Sequence, residues 1–401
     1  MALAAEDIDL MDLARFVRGE ERALFAELRA ADPVHWNDEG GSGKGFWSLT
    51  RYADVKAGAE DALRLSSADG TQIVSRRVEG KLNSLHNMDD PEHAKLRRIT
   101  APDLRPSKVR GWQGVVDDVV SELLDDAEAA DEFDLVDMVA ARLPMLIVAQ
   151  VLGVPREDAP QMVDWANRMQ SADPDHLADE TAMQQARDEA MDYFRALTDK
   201  RREDPKDDLI SVMAGAQKDG APLTWEQLAA YYVLFVAAGN ETTRHLISGG
   251  TIELDADPVN WMRMKDDPSL VTTAVEEMFR HVTPVSCMRR TATKDITLHG
   301  KDIAAGDKVV LWFSSANWDE TVFDDPQAFR IDRTPNEHLT FGWGSHFCLG
   351  AHLARAEIRA LYNECLRRNL RLEVTGDPIR LRHNLFRGWT HVPAKISRIG
   401  A

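Results

Sequence analysis

The chain has 401 residues, and 44% of them are apolar, so it can bury a large core as one domain or as two closely packed ones. Its formal net charge of −19 disfavours a nucleic-acid surface and general adhesion to anionic membranes. The three cysteines are too few and too scattered for a disulfide framework, and they fit a reduced cytoplasmic protein.

The N-terminal stretch MALAAEDIDLMDLARF carries acids where a signal peptide needs a basic region and an apolar run, so no export is predicted. Apolar residues at three- and four-residue spacing predict helices near 107–129, 134–152, 178–203 and 224–249. Strand signals are few: FWSL at 46–49, DITLHG at 295–300 and KVVLWF at 308–313. The apolar segment LPMLIVAQVLGV is too short to cross a bilayer and is interpreted as a buried helix. The pattern predicts a mainly α protein with small β-sheets.

A glycine-rich loop, FGWGSHFCLG at 341–350, holds Cys348 directly before a helix-like segment. Four roles for this cysteine stand open: a zinc ligand flanked by His346 and His352, an acyl-transfer nucleophile, a buried structural cysteine, and a thiolate ligand to haem iron. The glycines of the loop favour the last role, because they let backbone approach a large flat group and aim N–H donors at a thiolate.

This loop resembles the haem-binding signature of the cytochrome P450 family, a phenylalanine, a glycine, the cysteine and a second glycine at fixed spacing. Those positions are Phe341, Gly344, Cys348 and Gly350 here. The motif AAGNETT at 237–243 resembles the family's oxygen-activating helix segment. Together with the motifs that follow, the resemblance runs from about residue 45 to the C-terminus.

The segment EEMFR resembles the family's Glu-x-x-Arg element, through Glu277 and Arg280, and it is implied to lock the core behind the haem. Many relatives add an arginine within a Pro-x-Arg-Phe string, but this chain reads PQAF and has Ala328 at that place. Arg330 and Arg333 are the candidates to replace the missing arginine.

The resemblance implies haem b, with Cys348 as the axial ligand of its iron. His93 and Arg97 lie one helical turn apart in MDDPEHAKLRR and, with Arg290 and His346, are expected to reach the haem propionates. The implied cofactor-binding residues are His93, Arg97, Ala238, Arg290, Phe341, Gly342, His346, Cys348 and Gly350.

By resemblance we expect the family's triangular helical prism as one domain over residues 1–401, with about residues 1–20 loosely held. The implied reaction inserts one atom of O₂ into an apolar substrate. No flavin or nicotinamide domain is fused to the chain, so a separate ferredoxin or flavodoxin with an NAD(P)H-dependent reductase is expected to deliver electrons. The expected form is a cytoplasmic monomer that binds neither nucleic acid nor membrane.

Glu241 and Thr242 are the implied catalytic pair. A threonine hydroxyl donates and accepts hydrogen bonds, and a neighbouring carboxylate can carry protons by swinging toward the surface. The alternative is a haem-thiolate protein that binds a ligand or senses a gas without turnover. The acid–threonine pair counts against it, because a sensor has no use for a proton relay.

The substrate pocket implied by resemblance is lined by mostly apolar or small residues: Ile73, Val74, Leu234, Ala237, Val285, Ser286 and Phe386. Such a lining suits a sterol, terpenoid, fatty-acyl or polyketide skeleton, and Arg76 and Arg77 are candidates to pair with a substrate carboxylate. A local cationic cluster is expected to steer an acidic ferredoxin to the cysteine side. Its members are Arg98, Arg105, Lys108, Arg110, Arg355 and Arg359.

Overall fold

The computed structural model describes residues 4–40, 43–74, 84–169 and 180–400, and helices dominate these ranges. The helices are α1 (Leu13–Val17), α2 (Glu21–Ala31), α3 (Tyr52–Glu60), α4 (Glu92–Thr100), α5 (Pro106–Gly111), α6 (Gln113–Ala129), α7 (Arg142–Leu152), α8 (Ala159–Met169), α9 (Glu180–Glu203), α10 (Leu209–Gly215), α11 (Trp225–Asp255), α12 (Val259–Asp266), α13 (Leu270–Val282), α14 (Phe313–Ala316) and α15 (Ala351–Arg367). A π-helical turn, Val136–Ala140, precedes α7, and a short 3₁₀ turn, Gly344–His346, lies in the cysteine loop.

The strands are short and form small sheets. They are β1 (Val34–Asn37), β2 (Phe46–Leu49), β3 (Leu65–Ser66), β4 (Phe133–Asp134), β5 (Gln217–Lys218), β6 (Ala221–Pro222), β7 (Cys287–Ala292), β8 (Ile296–Leu298), β9 (Lys301–Ile303), β10 (Lys308–Trp312), β11 (Leu370–Val374), β12 (Ile379–Arg380), β13 (Trp389–His391) and β14 (Pro393–Arg398).

The largest sheet has the strand order β1-β2-β10-β7-β3. Strand β10 runs parallel to β2 and antiparallel to β7, and this register sets Arg290 opposite Val309. A second sheet has the order β11-β14-β4, and the remaining strands pair as hairpins. The small sheets thus stand beside a helical body, which confirms the predicted fold class.

Helix α11 runs through the middle of the main core, where it packs against α7 and α13. A capping box starts it: the Thr224 hydroxyl accepts from the Gln227 N–H, and the Gln227 side chain accepts from the Thr224 N–H. Helix α7 is buried along most of its length and ends at Gly153, whose φ is +90°. The segment LPMLIVAQVLGV is therefore a core helix, as predicted. Among the described residues, no helix is long and apolar enough to cross a membrane.

Part of the N-terminal segment, for which loose attachment was expected, packs against the large sheet. Leu10 is fully buried and Phe16 is 6% exposed, and both belong to a core cluster with β10. The Phe16 ring stacks on Trp312 with centroids 6.1 Å apart. The physical reason is that this face of the large sheet carries bulky apolar side chains that need a cover.

Candidate active site

The loop that carries Cys348 owes its shape to two glycines in the left-handed region. Gly342 has φ +71° and Gly344 has φ +72°, a conformation that residues with a Cβ rarely adopt. At Gly344 a Cβ would also come within 3.0 Å of the Ala59 carbonyl oxygen, because α3 packs directly against the loop. The Cys348 N–H donates to the Phe341 carbonyl oxygen at 2.8 Å and closes the loop just before α15.

The Cys348 side chain is exposed, whereas the other two cysteines are buried. Neighbouring protein atoms still displace part of the water around the thiol, and this desolvation raises the pKa of Cys348. The Gly350 N–H and the positive charges of Arg97 and Arg355 act in the opposite direction on the pKa of Cys348. The loop therefore presents an accessible sulfur beside an N–H donor and cations, a setting that stabilises a thiolate.

Phe341 supports the loop from the protein interior. Its side chain is 9% exposed, and its ring centroid lies 4.6 Å from that of Phe279 and 6.0 Å from that of Phe347. The Arg355 guanidinium lies 4.4 Å from the ring. Phe341 thus contributes by fixing the position of the cysteine loop.

Helix α4 ties the cysteine loop to the long helix α11 through two consecutive residues. Arg97 donates from Nη2 to the Phe347 carbonyl oxygen at 2.6 Å. The preceding residue, Leu96, offers its carbonyl oxygen to the Tyr231 hydroxyl of α11 at 2.5 Å. The loop and the long helix are therefore held on either side of α4.

Two arginines and two histidines gather near Cys348. The rings of His93 and His346 stack with centroids 4.2 Å apart. Burial lowers the pKa of both imidazoles, and Arg290 and His93 help to lower that of His346 to about 3. At neutral pH the positive charge of this cluster therefore comes from Arg97 and Arg290.

Neither arginine is neutralised by a neighbouring anion. Arg290 is 5% exposed, and burial lowers its pKa to about 10. In the described parts of the chain, no carboxylate oxygen lies within 4 Å of Arg290 or of Arg97. Arg290 is buried and Arg97 is half-buried, and cations in such places are costly without an anion. The pair is thus matched in charge to a ligand that carries two negative groups.

The middle of α11 offers an exposed strip of small side chains. Ala237 and Ala238 are exposed, although Val236 and Asn240 on either side of them are buried. The helix continues without a break, and Thr242 donates from Oγ1 to the Ala238 carbonyl oxygen at 2.9 Å. Because their side chains are small, the two adjacent alanines let a flat group approach this part of the helix closely.

The Glu-x-x-Arg pair is fully buried. Arg280 donates from Nε and Nη2 to the two carboxylate oxygens of Glu277, both at 2.8 Å. Arg333 donates from Nε to the same oxygens at 3.0 and 3.1 Å. Of the two candidates to replace the missing arginine, Arg333 is therefore the one that completes the network. Arg330 contributes only its backbone N–H to Glu277. The side chains of Arg280 and Arg333 also donate to the Ala328 carbonyl oxygen.

The residues expected to line a substrate pocket divide into two groups. Leu234 and Ala237 lie on α11 with accessible surface, and Val74 is 52% exposed. Val285 pairs with Phe386 in an isolated β-bridge, whereas Ile73 and Ser286 are buried. Arg76 and Arg77 lie outside the described residues.

The cationic cluster expected to meet a ferredoxin is only partly free. Arg355 and Arg359 pair with Glu276 at 2.8 and 3.2 Å, and Lys108 pairs with Asp207 at 3.2 Å. The remaining three members, Arg98, Arg105 and Arg110, are exposed on α4 and around α5.

The zinc and nucleophile roles of Cys348 find no support in these surroundings. Among residues 4–40, 43–74, 84–169 and 180–400, no group of three or more His, Cys, Asp or Glu is placed to hold a metal ion. In the same ranges no histidine accepts a hydrogen bond from the sulfur. A cysteine nucleophile needs such a base.

Comparisons with known proteins agree with this geometry. The family model described as Cytochrome P450 matches residues 259–386. A steroid C26-monooxygenase of Mycolicibacterium smegmatis is 33% identical, and the match covers 96% of this chain and 92% of the relative. A methyl-branched lipid omega-hydroxylase of Mycobacterium tuberculosis is 38% identical over 89% of this chain and 85% of its own. The chain belongs to the cytochrome P450 family.

The fold of this P450 is also that of a solved relative. The Mycobacterium marinum cytochrome P450 CYP268A2, in complex with pseudoionone, superposes with a TM-score of 0.90 at 33% identity, covering 97% of this chain and 98% of the other. The protein is a haem-thiolate monooxygenase, and its cofactor is haem b. Its residues fit that group: an accessible cysteine, two unneutralised arginines for two propionates, and a strip of alanines for the flat ring.

Sequence reasoning missed several residues of this region of the P450. Glu276 forms ion pairs with Arg355, Arg359 and His338. Its pKa is lowered to about 2, because the effect of His338 and Arg355 on the pKa is larger than the opposite effect of burial. The only signal in the sequence was its place beside Glu277. His245, directly after the AAGNETT motif and Arg244, was missed as well.

Proposed function

We propose that this P450 hydroxylates an apolar, branched or polycyclic lipid-like substrate with electrons from a separate ferredoxin, and that Cys348 is its haem ligand. The observation that carries the proposal is the exposed Cys348 in a loop where Arg97 lies near the cysteine and Arg290 lies near His346, both without a carboxylate partner. His93, Arg97, Arg290 and His346 would meet the propionates. Haem with a thiolate ligand supplies the activation of O₂.

The chain's own part in the chemistry lies on α11. Ala238 and Ala237 would leave room above the ring, and Thr242 would hold a proton on its hydroxyl. That hydroxyl donates to the Ala238 carbonyl oxygen at 2.9 Å, so a small rotation frees it for another partner. Glu241 directly precedes Thr242, and its side chain is 13% exposed, buried enough to exclude bulk water and near enough to the surface to exchange protons.

The substrate class rests on the lining and on the relatives. The accessible positions expected at the pocket are apolar or small, namely Val74, Leu234, Ala237 and Phe386. Relatives that match most of the chain are named for steroids and methyl-branched lipids. A screen of sterols, terpenoids and branched fatty acids for a shift of the haem spin state tests this, and product analysis identifies the oxidised carbon.

Removing the Thr242 hydroxyl is expected to uncouple the enzyme. We expect Thr242→Ala to keep its haem and its substrate binding but to divert electrons into hydrogen peroxide, because the proton donor is lost. Glu241→Gln is expected to slow turnover with less uncoupling. The measurement is product formed per NAD(P)H consumed, with peroxide assayed alongside.

Thr243→Ala is the matched control, since Thr243 is buried on the same helix and, among the described residues, its hydroxyl makes no hydrogen bond. It is expected to leave coupling unchanged. If the Thr242→Ala enzyme stays fully coupled, either the proton relay runs through Thr243 or this part of α11 does not face the haem.

Reversing two cations near the cysteine loop is expected to weaken reduction by an acidic ferredoxin. Lys108→Glu with Arg110→Glu should lower the ferredoxin-supported rate about tenfold at low salt and reduce its salt sensitivity, because electrostatic steering depends on such charges. Substrate affinity should stay the same. The matched control is Arg18→Glu with Lys294→Glu, which changes the net charge equally in other segments. Equal rates in both double variants would rule out this surface.

A further inference from the structure

Beside the proposed proton relay, α11 holds a buried histidine without a hydrogen-bond partner. His245 is 3% exposed, and neither Nδ1 nor Nε2 has a partner among the described residues. Each ring nitrogen is a donor or an acceptor, and a buried polar group that stays unpaired costs free energy. A group of this kind in a folded protein requires an explanation beyond packing.

Glu241 is the acidic group nearest to this ring. It lies one helical turn earlier, and its Oε1 is 3.7 Å from Nε2 of His245. This distance is slightly too long for a hydrogen bond and short enough for an ion pair. A modest rotation of the glutamate side chain would close it.

The histidine ring itself has little freedom to move. A Cβ placed on Gly388 would lie 2.0 Å from Nδ1, so the backbone of this glycine lies directly against the ring. The Phe386 ring also lies nearby, with its centroid 6.3 Å from that of His245. Because the imidazole is fixed, the carboxylate of Glu241 is the partner that adjusts.

Arg244 is the competing partner of Glu241. Its guanidinium is buried, which lowers its pKa, while Glu241, Asp137 and Asp134 act to raise it. It donates from Nη2 to Asn167 of α8 at 2.5 Å. On a helix with 100° per residue, Arg244 lies opposite Thr242, whereas His245, three positions after Thr242, shares its face. The two basic residues therefore draw the carboxylate in different directions.

The other charged groups nearby do not face the imidazole. Arg387, in the segment that packs on His245, donates instead to Glu21 and to the carbonyl oxygens of His281 and Val282. Asp134 pairs with His391 at 2.7 Å. In the described ranges, Glu241 provides the only carboxylate oxygen within 4 Å of His245.

We propose that His245 is a positioning residue that holds the Glu241 carboxylate on the Thr242 face of α11, against the pull of Arg244. This rests on the proposed role of Glu241 in proton delivery. A hydrogen bond from Nε2–H to the carboxylate would satisfy the otherwise unpaired imidazole nitrogen and keep the acid beside Thr242.

The test compares His245→Phe and His245→Asn with the wild-type holoenzyme. Product formed per NAD(P)H consumed should fall about twofold in His245→Phe, because the ring no longer offers a donor to Glu241. His245→Asn, whose amide can still donate, should recover part of the yield. The control His299→Phe removes a surface histidine that pairs with Asp54 and should behave like the wild type.

A second readout does not depend on activity. Thermal unfolding of Glu241→Gln, His245→Phe and the double variant forms a double-mutant cycle. The two single variants lose the same contact, so the sum of their losses of Tm should exceed the loss of Tm in the double variant. Wild-type coupling in His245→Phe, or additive losses of Tm, would overturn the role of His245 and leave the proposed function standing. A wild-type protein that forms no product would overturn both.

Discussion

Replacing Cys348 with serine is expected to abolish hydroxylation and to remove the strong red shift of the reduced carbon monoxide complex. Serine keeps the size of the side chain but offers an alcohol, which neither ionises readily nor donates electron density to iron as a thiolate does. Product formation should fall at least about a thousandfold, as expected when the group that drives a step is removed. Absorption spectra of the reduced protein with carbon monoxide, and product yield, are the measurements.

Cys287→Ala and Cys365→Ala are the controls for this experiment. Both cysteines are buried, and burial raises the pKa of Cys365 to about 12. They should keep both the red-shifted band and the activity, with at most a loss of stability from the small cavity. A Cys348→Ser protein that keeps the band would show that another residue ligates the iron.

The sequence predicted the cysteine loop well because its shape depends on local backbone conformation. Gly342 and Gly344 adopt positive φ, which few other residues tolerate, so the requirement is visible in the residue types themselves. The same holds for α7 and α11, whose apolar spacing marks buried faces. Requirements that depend on neighbouring residues, such as positive φ or helical spacing of apolar side chains, can be recognised in a single sequence.

Contacts between distant segments left no such pattern. The choice of Arg333 over Arg330 depends on how the chain turns after α14, and spacing alone does not distinguish two arginines three residues apart. The sequence also gives no sign that the ring nitrogens of His245 are unpaired, or that the ring contacts Gly388, more than a hundred residues away. The packing of Leu10 against the large sheet was missed for the same reason.

Replacing Glu277 with glutamine is expected to be the most damaging change outside the cysteine loop. Glu277 is fully buried, and the charges of Arg280 and Arg333 keep its pKa low despite that burial. The amide would leave two buried guanidinium groups without an anion, which typically costs roughly 3–5 kcal/mol. The free energy of unfolding and the haem content of the purified protein should both fall, with a drop in Tm of about 5 °C or more.

The neighbouring Glu276→Gln is the matched control, because it makes the same chemical change at a more accessible site. The Glu276 side chain is 21% exposed, and its pKa is lowered to about 2 by His338 and Arg355. Its stabilising effect is fully present above the ordinary carboxyl pKa, about 4.3, and is lost as the pH falls toward 2. Glu276→Gln should therefore cost less than Glu277→Gln at pH 7, and its difference from the wild type should shrink below about pH 4. Equal losses of Tm in the two variants at pH 7 would mean that water reaches Glu277. The network of Glu277, Arg280 and Arg333 would then not be the main source of stability in this part of the fold.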